Sequence, residues 1–324
     1  MSLSVIIDRV GGPETMRLTD AAVAAPGPGE IRVRHGAIGL NFIDVYQRSG
    51  LYKLPLPSGL GIEAAGTVTA LGPDVTGFGL GDRIAYAGGP PGAYSQERLL
   101  PAAKAVKLPA AVSEEAAAAL MLKGMTAYYL LHLTFPVRPG HTLLMHAAAG
   151  GVGSVLVPWA KHLGATVIGT AGSAEKARLA REAGCDHVIL YREQDFAAEV
   201  KALTGGAGVD VVYDSVGKDT FAGSLDSLKR RGMMVSFGNA SGKVAPFEPV
   251  LLADKGSLFL TRPTLAHYTA TRDELESAAN ALFEVIARGV VQPQIQQRYA
   301  LGDVARAHTD LEARRTTGAT LLLP

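Results

Sequence analysis

The chain has 324 residues, long for one hydrophobic core and enough for two domains. Lys and Arg number 31 against 30 Asp and Glu, so the basic excess with which a nucleic-acid or membrane-surface protein meets phosphates is missing. There is no basic-then-apolar leader and no apolar run of bilayer length, and the single cysteine, Cys185, permits no internal disulfide; a cytoplasmic protein without a membrane partner is the expectation.

Residues 1 to 110 are rich in Gly and Pro. Strand-like runs such as Ile31–Arg34 and Asp82–Tyr86 alternate with turn signals such as Pro26-Gly27-Pro28-Gly29 and Gly79-Leu80-Gly81-Asp82, which predicts an irregular antiparallel β domain. After Pro109 the texture turns helical, with Ser113 as N-cap and Glu114 and Glu115 in the first turn of an Ala-rich run. Strands and helices then alternate. Strands are expected at Thr142–Ala147, Thr166–Thr170, His187–Tyr191, Val209–Asp214, Met233–Phe237 and Leu258–Thr261. Between them fall helices at Gly151–Leu163, Ala174–Ala183 and Gln194–Leu203, with two more at about Arg272–Arg288 and Gly302–Glu312. That spacing predicts a parallel sheet covered on both faces, hence an α/β protein.

The strongest single feature is the run from Leu143 to Ser154, in which an apolar strand enters a turn of small residues and a helix follows. Such a turn lets backbone N–H groups approach a pyrophosphate while the helix N-terminus adds partial positive charge. Against the pattern G-x-G-x-x-G, Ala148 replaces the first glycine, and Gly150 and Gly153 keep the other two. A site for NAD places an acid at the end of the next strand, to accept from the ribose hydroxyls. Gly169-Thr170-Ala171-Gly172-Ser173-Ala174-Glu175-Lys176 has none there. Ser173 and Lys176, with Tyr191 and Arg192 nearby, are candidates for a 2′-phosphate, which makes NADPH the expected cofactor; Ser173 also suits the N-cap of the next helix.

Beyond this turn, several motifs in order carry a resemblance. Gly140-His141-x-x-Leu144-x-x-x-Ala148-Ala149-Gly150-Gly151-x-Gly153 resembles the signature of the quinone oxidoreductase (zeta-crystallin-like) family of the medium-chain dehydrogenase/reductase superfamily. So do Asn41–Asp44, Arg48–Tyr52, Gly61–Gly66, Tyr213–Gly217, Val235–Asn239 and the closing Leu-Leu-Leu-Pro, and the similarity spans essentially the whole chain. The resemblance implies a GroES-like β-barrel-type catalytic domain from both chain ends (1–121 and 259–324) and an inserted Rossmann NADPH-binding domain, a doubly wound parallel sheet (122–258). It also implies a cleft that brings NADPH to a small quinone, and a homodimer.

Residue by residue, the resemblance puts Asn41, Tyr46 and Tyr52 near nicotinamide and substrate. It puts Thr126, Ala149, Gly150, Gly151 and Val152 along the nicotinamide riboside and pyrophosphate, and Gly172, Ser173, Lys176 and Tyr191 at the 2′-phosphate end. Ser215, Phe237, Gly238, Arg262 and Arg314 are further cofactor contacts. One departure stands out: Pro158 replaces a glutamine inside the helix after the turn, removing the N–H that would bond the Ser154 carbonyl, so a bend with intact cofactor binding is expected.

No metal is expected. Zinc relatives bind their catalytic ion through Cys and His, but the matching positions are Asn41 and Ile62, and one cysteine cannot build a structural site. Hydride transfer then needs an acceptor that requires little activation, and a quinone qualifies because its product is a stabilised aromatic anion. Tyr46 and Tyr52 are candidates to donate to a quinone oxygen, and Tyr52 to relay a proton; simple packing is the alternative for both. Asp44, Glu63, His35, His146 and His267 are expected to be structural. Two other readings stay open: an NADPH-dependent enone or alkenal reductase, and a non-catalytic, crystallin-like NADPH-binding protein.

Overall fold

Short alternating runs at the two ends of the chain and continuous apolar strands in its middle fold into separate units. The computed structural model describes all residues, 1–324. In chain order the first elements are β1 (Ser2–Ile7), β2 (Met16–Ala21), β3 (Glu30–Leu40), α1 (Phe42–Arg48), β4 (Ser58–Gly59), β5 (Glu63–Leu71), β6 (Arg83–Ala87), β7 (Glu97–Pro101), β8 (Val106–Lys107) and α2 (Glu114–Tyr128). The middle holds β9 (Thr142–Met145), α3 (Gly153–His162), β10 (Thr166–Ala171), α4 (Ala174–Glu182), β11 (His187–Leu190), α5 (Phe196–Leu203), β12 (Val209–Asp214), α6 (Phe221–Ser227), β13 (Leu228–Ser236), α7 (Val250–Asp254), β14 (Phe259–Thr261) and α8 (Leu265–Tyr268). The end adds α9 (Arg272–Ala287), β15 (Ile295–Ala300), α10 (Val304–Glu312) and β16 (Ala319–Leu323).

The first unit comprises Met1–Met125 and Thr269–Pro324. Its larger sheet has seven strands, in the order β15-β16-β3-β5-β6-β8 with β7 beside β3, and a three-stranded sheet β2-β1-β4 accompanies it. All its pairings are antiparallel except β15 with β16. The alternation of β3 sends Ile31 and Val33 into the core between half-buried Arg32 and exposed Arg34. Leu301, Val304 and Leu322 from the chain end pack in the same core as Val5 and Ile7 from its start, so neither end completes the unit alone.

The second unit is Thr126–Tyr268. Its six-stranded sheet runs β11-β10-β9-β12-β13-β14, every neighbouring pair parallel. Leu144 on β9 lies opposite Ile168 on β10 and Val212 on β12, and all three are buried, each such side chain contributing about 1.5–3 kcal/mol. The expected return to the catalytic domain began at residue 259. In the structure β14 instead pairs with β13 as the sixth strand of this sheet, and the unit ends at Tyr268. The first boundary falls after Met125, inside α2, where the sequence expectation had placed it at residue 121.

Most helix limits sit close to those expected from caps. Ser173 caps α4 with its hydroxyl on the Lys176 N–H at 3.3 Å, and Ser113 accepts from the Ala116 N–H at 3.1 Å. Helix α3 begins at Gly153, two residues later than expected, because the residues before it belong to the turn. It continues through Pro158 to His162, and the preceding turn keeps its bonds: Gly150 N–H to Ala147 O at 2.8 Å and Ser154 N–H to Gly150 O at 2.8 Å. No helix is long and apolar enough to cross a membrane.

Candidate active site

In the second unit the candidate cofactor residues gather at one end of the parallel sheet. Ala149, Gly150, Gly151 and Val152 follow β9; Gly172, Ser173 and Lys176 follow β10; Tyr191 follows β11. Ser215 follows β12, Phe237 and Gly238 follow β13, and Arg262 follows β14. Every one lies just past the carboxyl end of a parallel strand, where open α/β sheets bind ligands. Thr126, buried on α2, completes the unit's set, and Arg314 belongs to the first unit, exposed after α10 with φ of 59°.

The turn after β9 is shaped by what it lacks. A Cβ on Gly153 would lie 2.4 Å from the Ala148 carbonyl oxygen and 2.6 Å from that of Ala147, so only glycine lets α3 start this close to the strand. Ala147 takes φ of 53°, a left-handed conformation that costs a non-glycine residue about 1–2 kcal/mol. The glycine missing from the motif is offset on the next strand: Ala148 is buried with its methyl against Gly169, where a Cβ would sit 2.8 Å from it. The result is a cradle of backbone at a helix N-terminus, which suits a pyrophosphate.

Further along the same end, Tyr191 and Arg192 close over Gly172; a Cβ there would meet the Tyr191 hydroxyl at 3.1 Å and Arg192 Nε at 3.5 Å. Ser173 is exposed and Lys176 half-buried, and no carboxylate stands at the end of β10. Gly238 fits against Ser215, whose carbonyl oxygen a Cβ would approach to 2.4 Å.

Buried Asp214 organises the turn that carries Ser215. Its Oδ1 accepts from the Val216 and Gly217 N–H groups at 2.8 and 3.0 Å, and Oδ2 from Thr220 Oγ1 and Ser224 Oγ at 2.8 and 2.9 Å. His146 bonds Ser224 Oγ at 2.9 Å and Thr170 Oγ1 at 3.0 Å, and burial lowers its pKa, so it serves the scaffold as expected.

In the first unit the candidate residues surround α1. Asn41 is its N-cap, 7% exposed, and Tyr46 and Tyr52 are half-buried and edge-to-face with centroids 5.2 Å apart. Asn41 Nδ2 donates to Glu63 Oε2 at 2.7 Å, and the Asn41 backbone N–H donates to Asp44 Oδ2 at 2.9 Å. The two carboxylates, expected to be structural, both grip Asn41. Behind Asp44, Tyr94 donates to Oδ2 at 2.8 Å and His308 Nε2 lies 3.1 Å from the Tyr94 hydroxyl. Burial, reinforced by Glu63, pushes the Asp44 carboxyl up to about 7 against the hydrogen bonds of Tyr94 and Asn41. Burial also pushes His308 down to about 3 and His35 down to about 4. His35 donates Nδ1–H to Ser95 O at 2.7 Å and lies 2.9 Å from the Tyr86 hydroxyl, a structural role. His267 is exposed at the end of α8.

The residue that sequence reasoning passed over is Lys123, buried on α2 with Nζ 3.3 Å from Glu63 Oε2. A signal was present: it is the lone charge in the run Ala116 to Ala127.

Residues 27–110 match the family of alcohol dehydrogenase GroES-like domains, and residues 151–284 the family of zinc-binding dehydrogenases. A quinone oxidoreductase of Pseudomonas aeruginosa is 55% identical over 315 residues, covering 97% of each chain. A 2-haloacrylate reductase of Burkholderia is 48% identical over 100% of this chain and 99% of its own. Among solved structures, an Escherichia coli quinone oxidoreductase complexed with NADPH superposes with a TM-score of 0.98 at 51% identity, covering 99% of this chain and 100% of that one.

Proposed function

The chain belongs to the quinone oxidoreductase family of the medium-chain dehydrogenase/reductase superfamily, and from that premise we propose how its residues divide the work. It is an NADPH:quinone oxidoreductase, passing reducing equivalents from NADPH to small quinones. The observation that carries this reading is the backbone cradle at Gly153, at the carboxyl end of a parallel sheet whose second strand ends without an acid. When bound, NADPH supplies the hydride.

In this reading the Ala149–Val152 turn and the start of α3 hold the pyrophosphate through backbone N–H groups. Ser173, Lys176 and Tyr191 receive the 2′-phosphate beside Gly172. Thr126, Ser215, Phe237, Gly238, Arg262 and Arg314 complete the cofactor's contacts. Asn41 orients the nicotinamide or the substrate through its side-chain amide. Tyr46 and Tyr52 present phenols that hydrogen-bond a quinone oxygen. Orientation and exclusion of water are then the protein's main contribution, because a quinone carbonyl is already electron-poor.

The reaction runs without zinc. Asn41 and Ile62 occupy the positions where zinc relatives carry ligands, and no three His, Cys, Asp or Glu side chains cluster as a metal site would require. The protein works as a cytoplasmic homodimer. The open edge of β14, with Phe259 56% exposed, offers a strand to a second copy, and light scattering on the purified protein tests that assembly.

The experiment that tests the activity follows the absorbance of reduced nicotinamide with purified protein and a panel of benzoquinones, naphthoquinones, phenanthrenequinone and an alkenal. Fast oxidation of NADPH with quinones is expected, slower with NADH. Turnover confined to the alkenal would favour the enone-reductase reading, for which the haloacrylate reductase relative is the supporting observation. NADPH binding without turnover on any acceptor would favour a non-catalytic role.

A further inference from the structure

The Asn41 amide is held from behind by an arrangement more elaborate than an N-cap needs. Glu63 is completely buried, and its Oε2 accepts from Asn41 Nδ2 at 2.7 Å while Oε1 accepts from the Leu122 backbone N–H at 2.6 Å. Lys123, 5% exposed, brings its ammonium to 3.3 Å from the same Oε2. An ionised carboxylate accepts and cannot donate, so the amide must turn its nitrogen toward Glu63 and its oxygen away.

Space for this carboxylate is reserved by the backbone. On β3, Gly39 has no side chain; a Cβ there would lie 2.2 Å from Glu63 Oε2 and 2.4 Å from the Ala118 carbonyl oxygen. Asp44 Oδ2 also holds the Asn41 backbone N–H at 2.9 Å, as the N3 half of the capping box that starts α1, so the residue is fixed at its main chain as well. A buried ion pair is weak support for stability, since an apolar pair of equal volume often does as well. Its placement against a site amide therefore points to orientation.

We propose that Glu63 and Lys123 are positioning residues for Asn41, holding its amide so that the oxygen is the atom offered to the nicotinamide or the substrate. Lys123 supplies the charge that keeps a carboxylate in this buried place, and Glu63 transmits it as a one-directional hydrogen bond. The inference rests on the reading of Asn41 as a site residue.

A double-mutant cycle separates the two claims, with kcat and KM for a quinone measured with NADPH and the melting temperature measured alongside. Asn41→Ala tests the reading itself; parent kcat and KM would remove Asn41 from the site, whatever the pair does. The volume-matched apolar pair Glu63→Met with Lys123→Met is expected to melt cooperatively. It should lose kcat about tenfold or more, and adding Asn41→Ala should cost it little further. Glu63→Gln with Lys123→Met leaves one acceptor oxygen for two donors, the Asn41 amide and the Leu122 N–H, and should recover kcat only in part, between the apolar pair and the parent.

Losses that multiply in the cycle would overturn the inference, as would an apolar pair that keeps parent kcat. Should the apolar pair fail to fold, Glu63→Asp decides, since it keeps the charge and shortens the reach. Lower kcat with a reduced cost of Asn41→Ala supports positioning; parent kcat with the full cost of Asn41→Ala overturns it.

Discussion

The turn after β9 and the surroundings of Asn41 are both candidate binding surfaces, and they are made in opposite ways. The turn is built from main chain, with Ala147, Ala148, Gly150 and Gly153 adjacent in sequence, and its central requirement is the absence of a Cβ at Gly153. The Asn41 cluster is built from buried polar side chains supplied by α1, β5 and α2, bonded across separations such as 22 residues for Asn41–Glu63 and 60 for Lys123–Glu63. A main-chain cradle tolerates most side-chain chemistry provided nothing fills it. A buried polar cluster fails whenever one partner is lost, because the remainder is left unpaired in low dielectric.

The largest effect is expected where a Cβ enters the turn. Gly153→Val should weaken NADPH roughly a hundredfold, because side-chain atoms must displace the Ala148 and Ala147 carbonyl oxygens. Fluorescence titration with NADPH measures it; unchanged affinity would refute the cradle. Next, Lys176→Ala should weaken NADPH about tenfold or more and NADH much less, since only NADPH carries the 2′-phosphate. Equal losses for both cofactors would remove Lys176 from the phosphate end.

The third prediction concerns the buried cluster and its pH dependence. Asp44 has a folded pKa raised to about 7 from 3.8, so the folded state holds a proton that the unfolded state releases first. Its contribution to stability is therefore fully present below the unfolded value and is lost as pH rises toward 7, with a slope of at most about 1.4 kcal/mol per pH unit. His35 and His308, lowered to about 4 and about 3, act the other way and lose their contribution as the solution becomes acid. Comparing Asp44→Asn with the parent isolates the first trend: the variant should gain relative stability from pH 5 to pH 8 in urea unfolding. A constant difference across that range would place Asp44 at an ordinary pKa. Smallest of all, Tyr46→Phe and Tyr52→Phe should each raise the quinone KM by less than about tenfold, the worth of one neutral hydrogen bond. A kcat collapse in Tyr52→Phe with KM unchanged would instead make it an indispensable proton donor.

Much of the second unit was legible in the sequence because its signals are local. Apolar strands at Thr142, Thr166 and Val209, a small-residue turn, and a cap at Ser173 each announce an element within a few residues. The sixth strand lies among the alternating strands that predict the parallel sheet, while the domain limit at 259 implied by the resemblance assigns it to the other unit; its pairing with β13 places it in the sheet. In the first unit, turns and alternation indicated antiparallel β structure without showing that Leu301, Val304 and Leu322 share a core with Val5.

Taken alone, the amino-acid order determined the class of fold, the small-residue turn after the first sheet strand and the missing acid after the next, and the family, since each depends on residue types at short fixed spacings. Tertiary structure alone decided that Glu63 and Asp44 grip the same asparagine, that Lys123 neutralises one of them, and that Gly169 makes room for Ala148. Those relations join residues distant in sequence by bonds that exist only once the chain is packed, and a buried charge shows its purpose only through the partner it meets there.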